Sequence, residues 1–491
     1  MILPPARRNE RTKTSFGETQ FGGAQLGDAR RTKRLVKSAN ILARHPGGTL
    51  PEKFKSPKDL KAFYRLCNCE EVTHEAILAA HREVAFDRLV TRKRPTLVLH
   101  DSTELDYTGH TSIEGLGQIG NGNKKGYIAH NSLAVDPKTK EALGLYSQLL
   151  HHRVKVRKNE TDAQRRKRKS RESRLWVQGT ETLPNDWNLI DVCDQGADTF
   201  EFLYHETLSG RRFVVRSAHN RGIVLGHETA PEDTSVEDAK KYLRDVARAL
   251  PELGSWTLQV TSKEELKSPK KKGKKRKVKR ISREAKMAVS SARVQVKPPT
   301  TKSGDYEETP LAMWIVRVWE ISPPKGQERL EWFLLTNEPA DSFEAAYQVV
   351  EWYECRWVIE EYHKCLKTGC NIESPQFERQ HSLQPAIAVI SVTALTLLNL
   401  RDASRKPDAK TRPAKELVSE DYIAVLSAWR HGKVKEDWSV YDFCYALARL
   451  GGHQNRKSDR HPGWIVLWRG WQELQAMMRG ADVVNEIKKC G

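Results

Sequence analysis

The chain contains the stretch Tyr353-Glu-Cys-Arg356-Trp-Val-Ile-Glu360-Glu-Tyr-His-Lys364-Cys-Leu-Lys367, which carries its strongest pattern. A helix advances by about 100° per residue, so Tyr353, Arg356, Glu360 and Lys367 are expected to share a stripe roughly 60° wide, with Lys364 beside it. Apolar side chains fall on the opposite side of this predicted helix. A carboxylate among cations suits a divalent metal ion and DNA phosphates. A solvated stripe on a surface helix is the alternative.

Two apolar runs upstream each end in an aspartate, at Asp101 and at Asp194. Further strands are predicted at 127–135 and 142–150, which form a hairpin, and at 212–217, and a helix is predicted at about 199–208. The resulting order of strands and helices fits an α/β core of the ribonuclease-H type. Glu360 lies 166 residues after the second aspartate, too far for a simple loop, so an insertion is expected between them.

The motif Tyr353-x2-Arg356-x3-Glu360-x6-Lys367 matches the Y-x2-R-x3-E-x6-K signature of one group of bacterial cut-and-paste transposases. The chain thus resembles the DDE superfamily, and within it insertion-sequence family four, the transposon-five transposase type. The resemblance extends to further segments along the chain: His100-Asp101-Ser-Thr and Val192-Cys-Asp194-Gln-Gly-Ala-Asp198 for the two acidic motifs, Leu26-Gly-Asp28-Ala-Arg30-Arg31-Thr for the N-terminal domain, and Ala448-Arg-Leu-Gly-Gly with Trp468-Arg-Gly-Trp471 for the C-terminal domain.

The resemblance implies a ribonuclease-H-like, retroviral-integrase-like core in which the strands ending in Asp101 and Asp194 are parallel neighbours. A β-rich insertion interrupts this core, and α-helical domains flank it at both ends. The predicted divisions are an N-terminal helical DNA-binding domain at 1–75, the first part of the core at 76–235, the insertion with its basic loop at 236–341, the last part of the core at 342–402, and a C-terminal helical dimerisation domain at 403–491.

Composition favours nucleic acid as the partner. The chain has 83 Lys and Arg against 63 Asp and Glu, a net charge of +20 and a pI near 9.5, which attracts polyanions. Ten of the fourteen residues from Lys267 to Arg280 are basic. The longest apolar run, Ala386–Leu398, is shorter than the ~18 residues that span a membrane, so we expect a buried core helix. The N-terminus lacks the apolar core of a secretion signal, and the eight cysteines lack zinc-site spacing. We therefore expect a cytoplasmic, nucleoid-associated protein.

Asp101, Asp194 and Glu360 are the predicted catalytic triad and metal ligands. Their carboxylates are hard oxygen donors of the kind that two Mg²⁺ ions need for in-line phosphodiester displacement, and Mn²⁺ is expected to substitute. Surface carboxylates or helix caps are the structural alternative for each residue. Asp106, Asp198 and Glu361 are nearby carboxylates that stay open as participants.

Candidate DNA contacts come from three sources. Basic side chains on a predicted helix capped by Asp28 suit phosphates or bases. The family motif holds a distorted DNA end, and a tryptophan of the family's insertion stacks on an extruded base, worth roughly 1–3 kcal/mol. A half-buried strand position is the alternative for that tryptophan. The candidates are Arg30, Arg31, Arg34, Arg216, Trp332, Tyr353, Arg356, Lys364 and Lys367.

The resemblance implies a Mg²⁺-dependent DNA transposase that excises and integrates an insertion element, with a hairpin intermediate, and that acts as a homodimer on double-stranded DNA. The tail near 455–490, with Trp464, Trp468 and Trp471, is the candidate dimer surface, with core packing as the alternative. Two other functions stay open: a catalytically silent DNA-binding repressor derived from a transposase, and a two-metal nuclease or resolvase.

Overall fold

The computed structural model describes residues 15–490 except 46, 91, 93, 121, 155, 157–158, 187, 226–240, 268–275, 301–303, 419, 457–458 and 460. The start of the predicted N-terminal domain and most of the basic run at 267–280 lie outside these described residues. The chain folds as two compact units. The first unit contains Met1–Arg94, Asp101–Val154 and Trp357–Gly491, and the second contains Pro95–His100 and Lys155–Arg356.

The helices of the described chain flank strands that occupy the middle of the sequence. They are α1 Phe16–Phe21, α2 Ala29–Arg44, α3 Leu50–Phe54, α4 Pro57–Cys67, α5 His74–Val90, α6 Asp162–Lys167, α7 Leu175–Glu181, α8 Phe200–Leu208, α9 Leu243–Ala249, α10 Phe343–Glu354, α11 Trp357–Lys364, α12 Gln380–Ala403, α13 Glu420–His431, α14 Val440–Leu450 and α15 Trp464–Cys490.

The strands form a large mixed sheet and a separate two-stranded ribbon. They are β1 Thr96–Asp106, β2 Gly117–Gln118, β3 Lys125–Val135, β4 Ala142–His151, β5 Leu189–Cys193, β6 Arg212–Arg216, β7 Gly222–Leu225, β8 Lys241–Tyr242, β9 Gly254–Val260, β10 Lys263–Lys267, β11 Arg276–Arg280, β12 Arg283–Val296, β13 Leu311–Glu320 and β14 Glu331–Thr336. The ribbon is β10 paired with β11.

The N-terminal helices of the first unit begin where the sequence predicts. The side chain of Asp28 accepts a hydrogen bond from the Arg30 backbone N–H at the start of α2. Ser56 caps α4 in the same way, and Pro57 occupies its first turn, where a missing N–H costs nothing. The β3–β4 hairpin is also confirmed. Its turn is held by Asp136, whose carboxylate accepts two backbone N–H groups.

In the second unit, β1, β5 and β6 are parallel neighbours, and β14, β13 and β12 follow antiparallel. The predicted parallel pairing of β1 and β5 is therefore confirmed. The prediction that the first of them ends at Asp101 is wrong, because β1 continues to Asp106. The sequence predicts strand pieces in the insertion at 293–297, 313–318 and 330–336. They match parts of β12, β13 and β14 to within one residue, and these strands extend the same sheet. The short helix α9 was not predicted. It packs with α8 on an apolar core that includes Phe213, Phe333 and Leu335.

Helix α12 is the predicted buried helix. By length and composition it is the one helix of the described chain that could cross a membrane, but its most apolar 18-residue window is 83% buried inside the protein. The sequence also predicts a polar linker from Arg401 to Lys415. Its start is wrong, because Arg401 still belongs to α12, which ends at Ala403. The buried guanidinium of Arg401 pairs with Glu361 and with Asp402 at 2.5 Å. These two carboxylates compensate the buried positive charge of Arg401.

The sequence predicts breaks in the C-terminal helical segment at Gly451-Gly452 and Pro462-Gly463, and both lie between α14 and α15. The break between α13 and α14, after His431, was not predicted. Trp471 is 2% exposed within a core shared by these helices. Its indole N–H donates to the Arg44 carbonyl at 2.9 Å. For Trp471 the core alternative is therefore correct and the dimer-surface prediction is wrong, because the indole is already covered by its own chain.

Lys53 is a fully buried lysine on α3. Its ammonium donates to the Cys370 carbonyl oxygen at 2.6 Å, just beyond the motif at 353–367. Burial lowers the pKa of Lys53 to about 8, because the charged form loses its hydration.

We predict that the stability of the wild-type protein rises with pH between about 8 and 10.5 relative to a Lys53→Met variant. In this window the unfolded chain still binds the lysine proton, with an ordinary pKa near ~10.4, while the folded chain has released it. Each unit of pKa shift corresponds to about 1.4 kcal/mol. Urea unfolding of both proteins at several pH values measures the difference, and parallel pH curves would contradict the prediction.

Asp198 is buried in the second unit and neutralises Arg221, whose guanidinium nitrogens lie 2.8 and 3.1 Å from its carboxylate. The same carboxylate accepts the backbone N–H groups of Ala218 and His219 at 2.6 and 2.9 Å. This carboxylate therefore shapes the turn after β6.

We predict that Asp198→Asn lowers the free energy of unfolding by about 3–5 kcal/mol, because it leaves the buried Arg221 charge without a counter-charge. The matched control is Glu416→Gln, which breaks an ion pair with Arg412 in which the glutamate is half exposed. Its cost should stay below ~1 kcal/mol. If urea unfolding shows that both variants lose the same free energy of unfolding, the buried pair contributes no more stability than the exposed pair and the prediction is wrong.

Candidate active site

Asp101 and Asp194 follow the last registered pair of two parallel strands. The register of β1 and β5 ends with His100 opposite Cys193, and each aspartate is the next residue along its strand. Both side chains are half-buried. The carboxylate of Asp101 accepts the Ser102 backbone N–H at 2.8 Å. That of Asp194 accepts the Gly196 backbone N–H at 2.7 Å and caps a short 3₁₀ turn.

Glu360 lies on α11 in the first unit and is half-buried. One turn further on, the buried ring of His363 hydrogen-bonds to Asn131 of β3 at 3.0 Å. The neighbouring His130 of β3 hydrogen-bonds to Ser102 of β1 at 2.9 Å. The helix that carries Glu360 and the segment next to Asp101 are thus held by the same strand. His363 has a structural hydrogen-bonding role here.

The prediction of one helix across 342–367 is wrong. α10 begins after the predicted cap Ser342 but ends at Glu354. The Arg356 N–H then bonds to the Tyr353 carbonyl, three residues back. Beyond α11 the backbone widens into a π-helical turn, Cys365–Gly369. Bonds that span three or five residues change the rotation per residue, so 100° steps do not place Lys367 on the stripe of Tyr353.

The motif is therefore divided between the units. Tyr353 and Arg356 belong to the second unit, whereas Glu360, Lys364 and Lys367 belong to the first. No glycine or proline stands between Ser342 and Lys367. The sequence thus contains none of the residues that ordinarily announce a helix break.

Within the second unit, three predicted site residues lie around the phenol of a fourth, Tyr353. Burial raises the pKa of Tyr353, against the opposing charges of Arg216 and Arg356 and a hydrogen bond with Arg216. The charge of Asp194 is close enough to raise this pKa further. The structure therefore brings together a candidate metal ligand and three candidate DNA contacts.

Trp332 lies on the same face of the sheet as Arg216. The register pairs Leu334 of β14 with Arg216 of β6, and directly opposed residues share a face. Residues two apart on a strand also share a face, which places Trp332 with Leu334. Phe333 faces the other way, into the core, beneath the guanidinium of Arg244 at 5.5 Å. The half-buried Trp332 is thus on the side of the sheet where Arg216 meets Tyr353.

The two lysines of the motif have acidic partners in the first unit. Lys364 lies 2.6 Å from Glu361 and 4.6 Å above the ring of Trp357. Trp357 is 52% exposed, so its expected place in the core is wrong. Lys367 lies 3.7 Å from Glu373. Lys364 is half exposed, whereas Glu361 is only 14% exposed and also pairs with Arg401. The side chains of Lys367 and Glu373 are 35% and 30% exposed.

The three arginines of α2 differ in availability. Arg30 pairs with its own helix cap, Asp28, but its side chain is 90% exposed. Arg31 donates to the Leu26 carbonyl at 2.9 Å and pairs with Glu71. Arg34 pairs with Asp59 of α4 at 3.0 Å and fixes two helices together. Arg30 is therefore the best placed of the three to meet DNA.

The other carboxylates that the sequence left open have structural partners. Asp198 pairs with Arg221, as described above. Glu361 pairs with Arg401 and Lys364. Asp106 accepts hydrogen bonds from Thr108 and lies 3.1 Å from Lys124.

Two buried polar residues next to the strand ends were missed. His100 and Asp191 are both fully buried and hydrogen-bond to each other at 2.8 Å. The sequence does contain a signal for this pair. Asp191 lies in the middle of the apolar run Leu189–Cys193, and a carboxylate buried there requires a hydrogen-bonding partner.

The metal prediction has partial support from the donor set. Carboxylate oxygens of Asp101, Asp194 and Glu360 are of the type that Mg²⁺ prefers. Among the residues that the structure describes, however, no three His, Cys, Asp or Glu side chains form a group that could hold a metal ion.

Comparison with known families agrees with this architecture. Residues 92–397, more than half of the chain, match the family model of the transposase DDE domain. Residues 13–72 match the model of the transposase DNA-binding domain. The chain belongs to the DDE transposase family. The transposase is thus an enzyme that acts on DNA, and its DNA-binding domain includes helices α1 to α4. Asp101, Asp194 and Glu360 all lie within the matched DDE domain.

Proposed function

We propose that this transposase excises and integrates an insertion element by phosphodiester hydrolysis and transesterification at the element's ends. The observation that carries the proposal is the parallel register of β1 and β5, which ends immediately before Asp101 and Asp194. Glu360 would complete the triad from α11. The four-residue motif at 353–367 and the overall order of elements support a ribonuclease-H-like core of the insertion-sequence-four type.

The three carboxylates would hold two Mg²⁺ ions, which stabilise the attacking and leaving oxygens of an in-line displacement when bound. The protein's own part is to hold the DNA. Arg356 and Arg216 suit a phosphate, since guanidinium groups bind its oxygens in pairs. The buried phenol of Tyr353 orients Arg216 through their hydrogen bond. Lys364 and Lys367 add positive charge to the unit that carries Glu360.

Trp332 is the proposed stacking platform for an extruded base. Its position on the Arg216 face of β14 supports this role, because a base leaving the duplex beside a held phosphate would meet an indole there. Extrusion is useful for a hairpin intermediate, in which the free 3′-hydroxyl attacks the opposite strand and the backbone bends sharply. By the family resemblance, we also propose that two copies of the chain act together on paired ends.

We predict that Asp101→Asn, Asp194→Asn and Glu360→Gln each lower the rate of end cleavage at least about 100-fold. Loss of a direct metal ligand should exceed the 10- to 100-fold cost of losing a supporting residue. DNA affinity measured by fluorescence anisotropy should stay unchanged, and the exposed control Glu344→Gln should cleave normally. If any one of these variants cleaves DNA at the wild-type rate, the substituted residue is not part of the catalytic triad.

The same assay, with paired end-sequence DNA and Mg²⁺, separates the three functions. Nicks, hairpins and strand transfer by the wild-type protein support the transposase mechanism. Binding without cleavage would indicate a silent repressor, and cleavage without joining would indicate a nuclease.

We predict that Trp332→Ala lowers hairpin formation by roughly 5- to 150-fold, the rate equivalent of 1–3 kcal/mol of stacking. First-strand nicking should change much less, because it precedes base extrusion. The control Trp429→Ala removes another indole, 41% exposed, from α13. A 2-aminopurine at the extruded position reports stacking directly, and equal fluorescence in the two variants would contradict the role of Trp332.

A further inference from the structure

A buried polar network lies in the second unit where the registered pairs of β1 and β5 end. The His100 ring N–H donates to one oxygen of Asp191 at 2.8 Å. Arg211 donates to the other oxygen of Asp191 at 2.8 Å, and to the Pro184 carbonyl at 3.0 Å. The side chains of His100 and Asp191 are 0% exposed and that of Arg211 is 5% exposed.

The network and the proposed catalytic side chains leave their strands on opposite faces. The register places Asp191 opposite Val98, and His100 is two residues further along β1, on the same face. Strand alternation sends the next residue, Asp101, to the other face. Asp194 comes three residues after Asp191 and its backbone is still extended, so it also leaves on the other face. A ring locked on one face therefore fixes the peptide from which Asp101 projects.

The charges of the network are balanced internally. Burial alone would raise the pKa of Asp191, but the hydrogen bond from His100 and the charge of Arg211 keep it below its ordinary value. Asp191 and Arg211 therefore form an ion pair. Glu206, whose carboxylate lies 3.7 Å from Arg211, is different: burial and the nearby Asp191 charge raise its pKa well above the ordinary value.

Stability alone does not explain this arrangement. Removing two charges from water costs several kcal/mol each, and apolar residues of similar volume often serve equally well or better in a core. What a hydrogen-bonded ion pair does supply is geometry, since only one arrangement satisfies all of its donors and acceptors. Here that geometry is imposed one residue before Asp101 and three residues before Asp194.

We propose that His100, Asp191 and Arg211 are positioning residues that align Asp101 and Asp194 for DNA cleavage by locking β1 at His100 and β5 at Asp191 in one geometry. This inference rests on the proposed catalytic role of the two aspartates. The three side chains are buried, so we expect them to act through the strands and not by contacting DNA or metal.

The test is a double variant, Asp191→Leu with Arg211→Met, which replaces both charges by apolar side chains of similar volume. The unfolding midpoint and the affinity for end DNA should stay near wild type. End cleavage should fall about 10- to 100-fold, and Mn²⁺ binding measured by calorimetry on the DNA complex should weaken by a similar factor, as for other supporting residues of metal sites.

The matched control is Arg283→Met with Glu320→Leu. It removes another buried ion pair of the second unit, with contacts of 2.8 Å between β12 and β13. This control should cleave DNA and bind Mn²⁺ like the wild type. If both double variants lose activity in parallel with stability, or if neither loses any, the network is structural and the proposal is wrong.

A milder pair of single variants keeps the test decisive if the double variant fails to fold. His100→Gln retains an N–H donor toward Asp191, whereas His100→Leu does not. The glutamine variant should recover most of the cleavage and Mn²⁺ binding that the leucine variant loses, and equal values for the two would overturn the proposal. The variant Asp101→Asn, measured alongside, distinguishes failure of the positioning proposal from failure of the proposed active site. If Asp101→Asn cleaves DNA normally, the proposed active site is wrong.

Discussion

Parallel hydrogen bonding between β1 and β5 is the constraint on which the rest of this structure depends. Five consecutive residue pairs run from Thr96 with Leu189 to His100 with Cys193. This register determines that Asp101 and Asp194 both follow directly after the last of these pairs. A slip of one residue would turn every side chain of β5 to the other face. It would put Asp191 among apolar side chains, away from Arg211, and would send Asp194 to the wrong side. The buried network and the strand register therefore stabilise each other.

The positive charge of the chain is used in two distinct ways. Part of the positive charge lies inside the protein, where Arg211, Arg221 and Arg401 each form an ion pair with a buried or half-buried carboxylate. Another part lies at the surface, as with Arg30 and Lys364, whose side chains are 90% and 51% exposed. Net charge alone does not distinguish these two groups. Burial does, because a buried pair that loses one member leaves an unhydrated charge.

The turn at Cys355 and Arg356 has the largest consequence for function. It ends α10 in the second unit and begins α11 in the first, so the motif at 353–367 contributes to both. Tyr353 and Arg356 join Arg216 and Asp194, whereas Glu360 is anchored through His363 to β3. A motif divided in this way links the residues that would hold DNA to a carboxylate that would hold metal, with only a few residues of chain between them.

The sequence by itself determined the local features whose causes are local. Apolar runs ending in aspartate gave the parallel strands, Ser and Asp before helical segments gave the caps, and four residues at fixed spacings indicated the family. The tertiary structure alone decided which polar residues are buried, where the motif helix breaks, and that Trp471 is core while Trp357 is half exposed. The physical reason is that burial and hydrogen-bond partners, as for His100 with Asp191, come from residues distant in the chain, which no local pattern encodes.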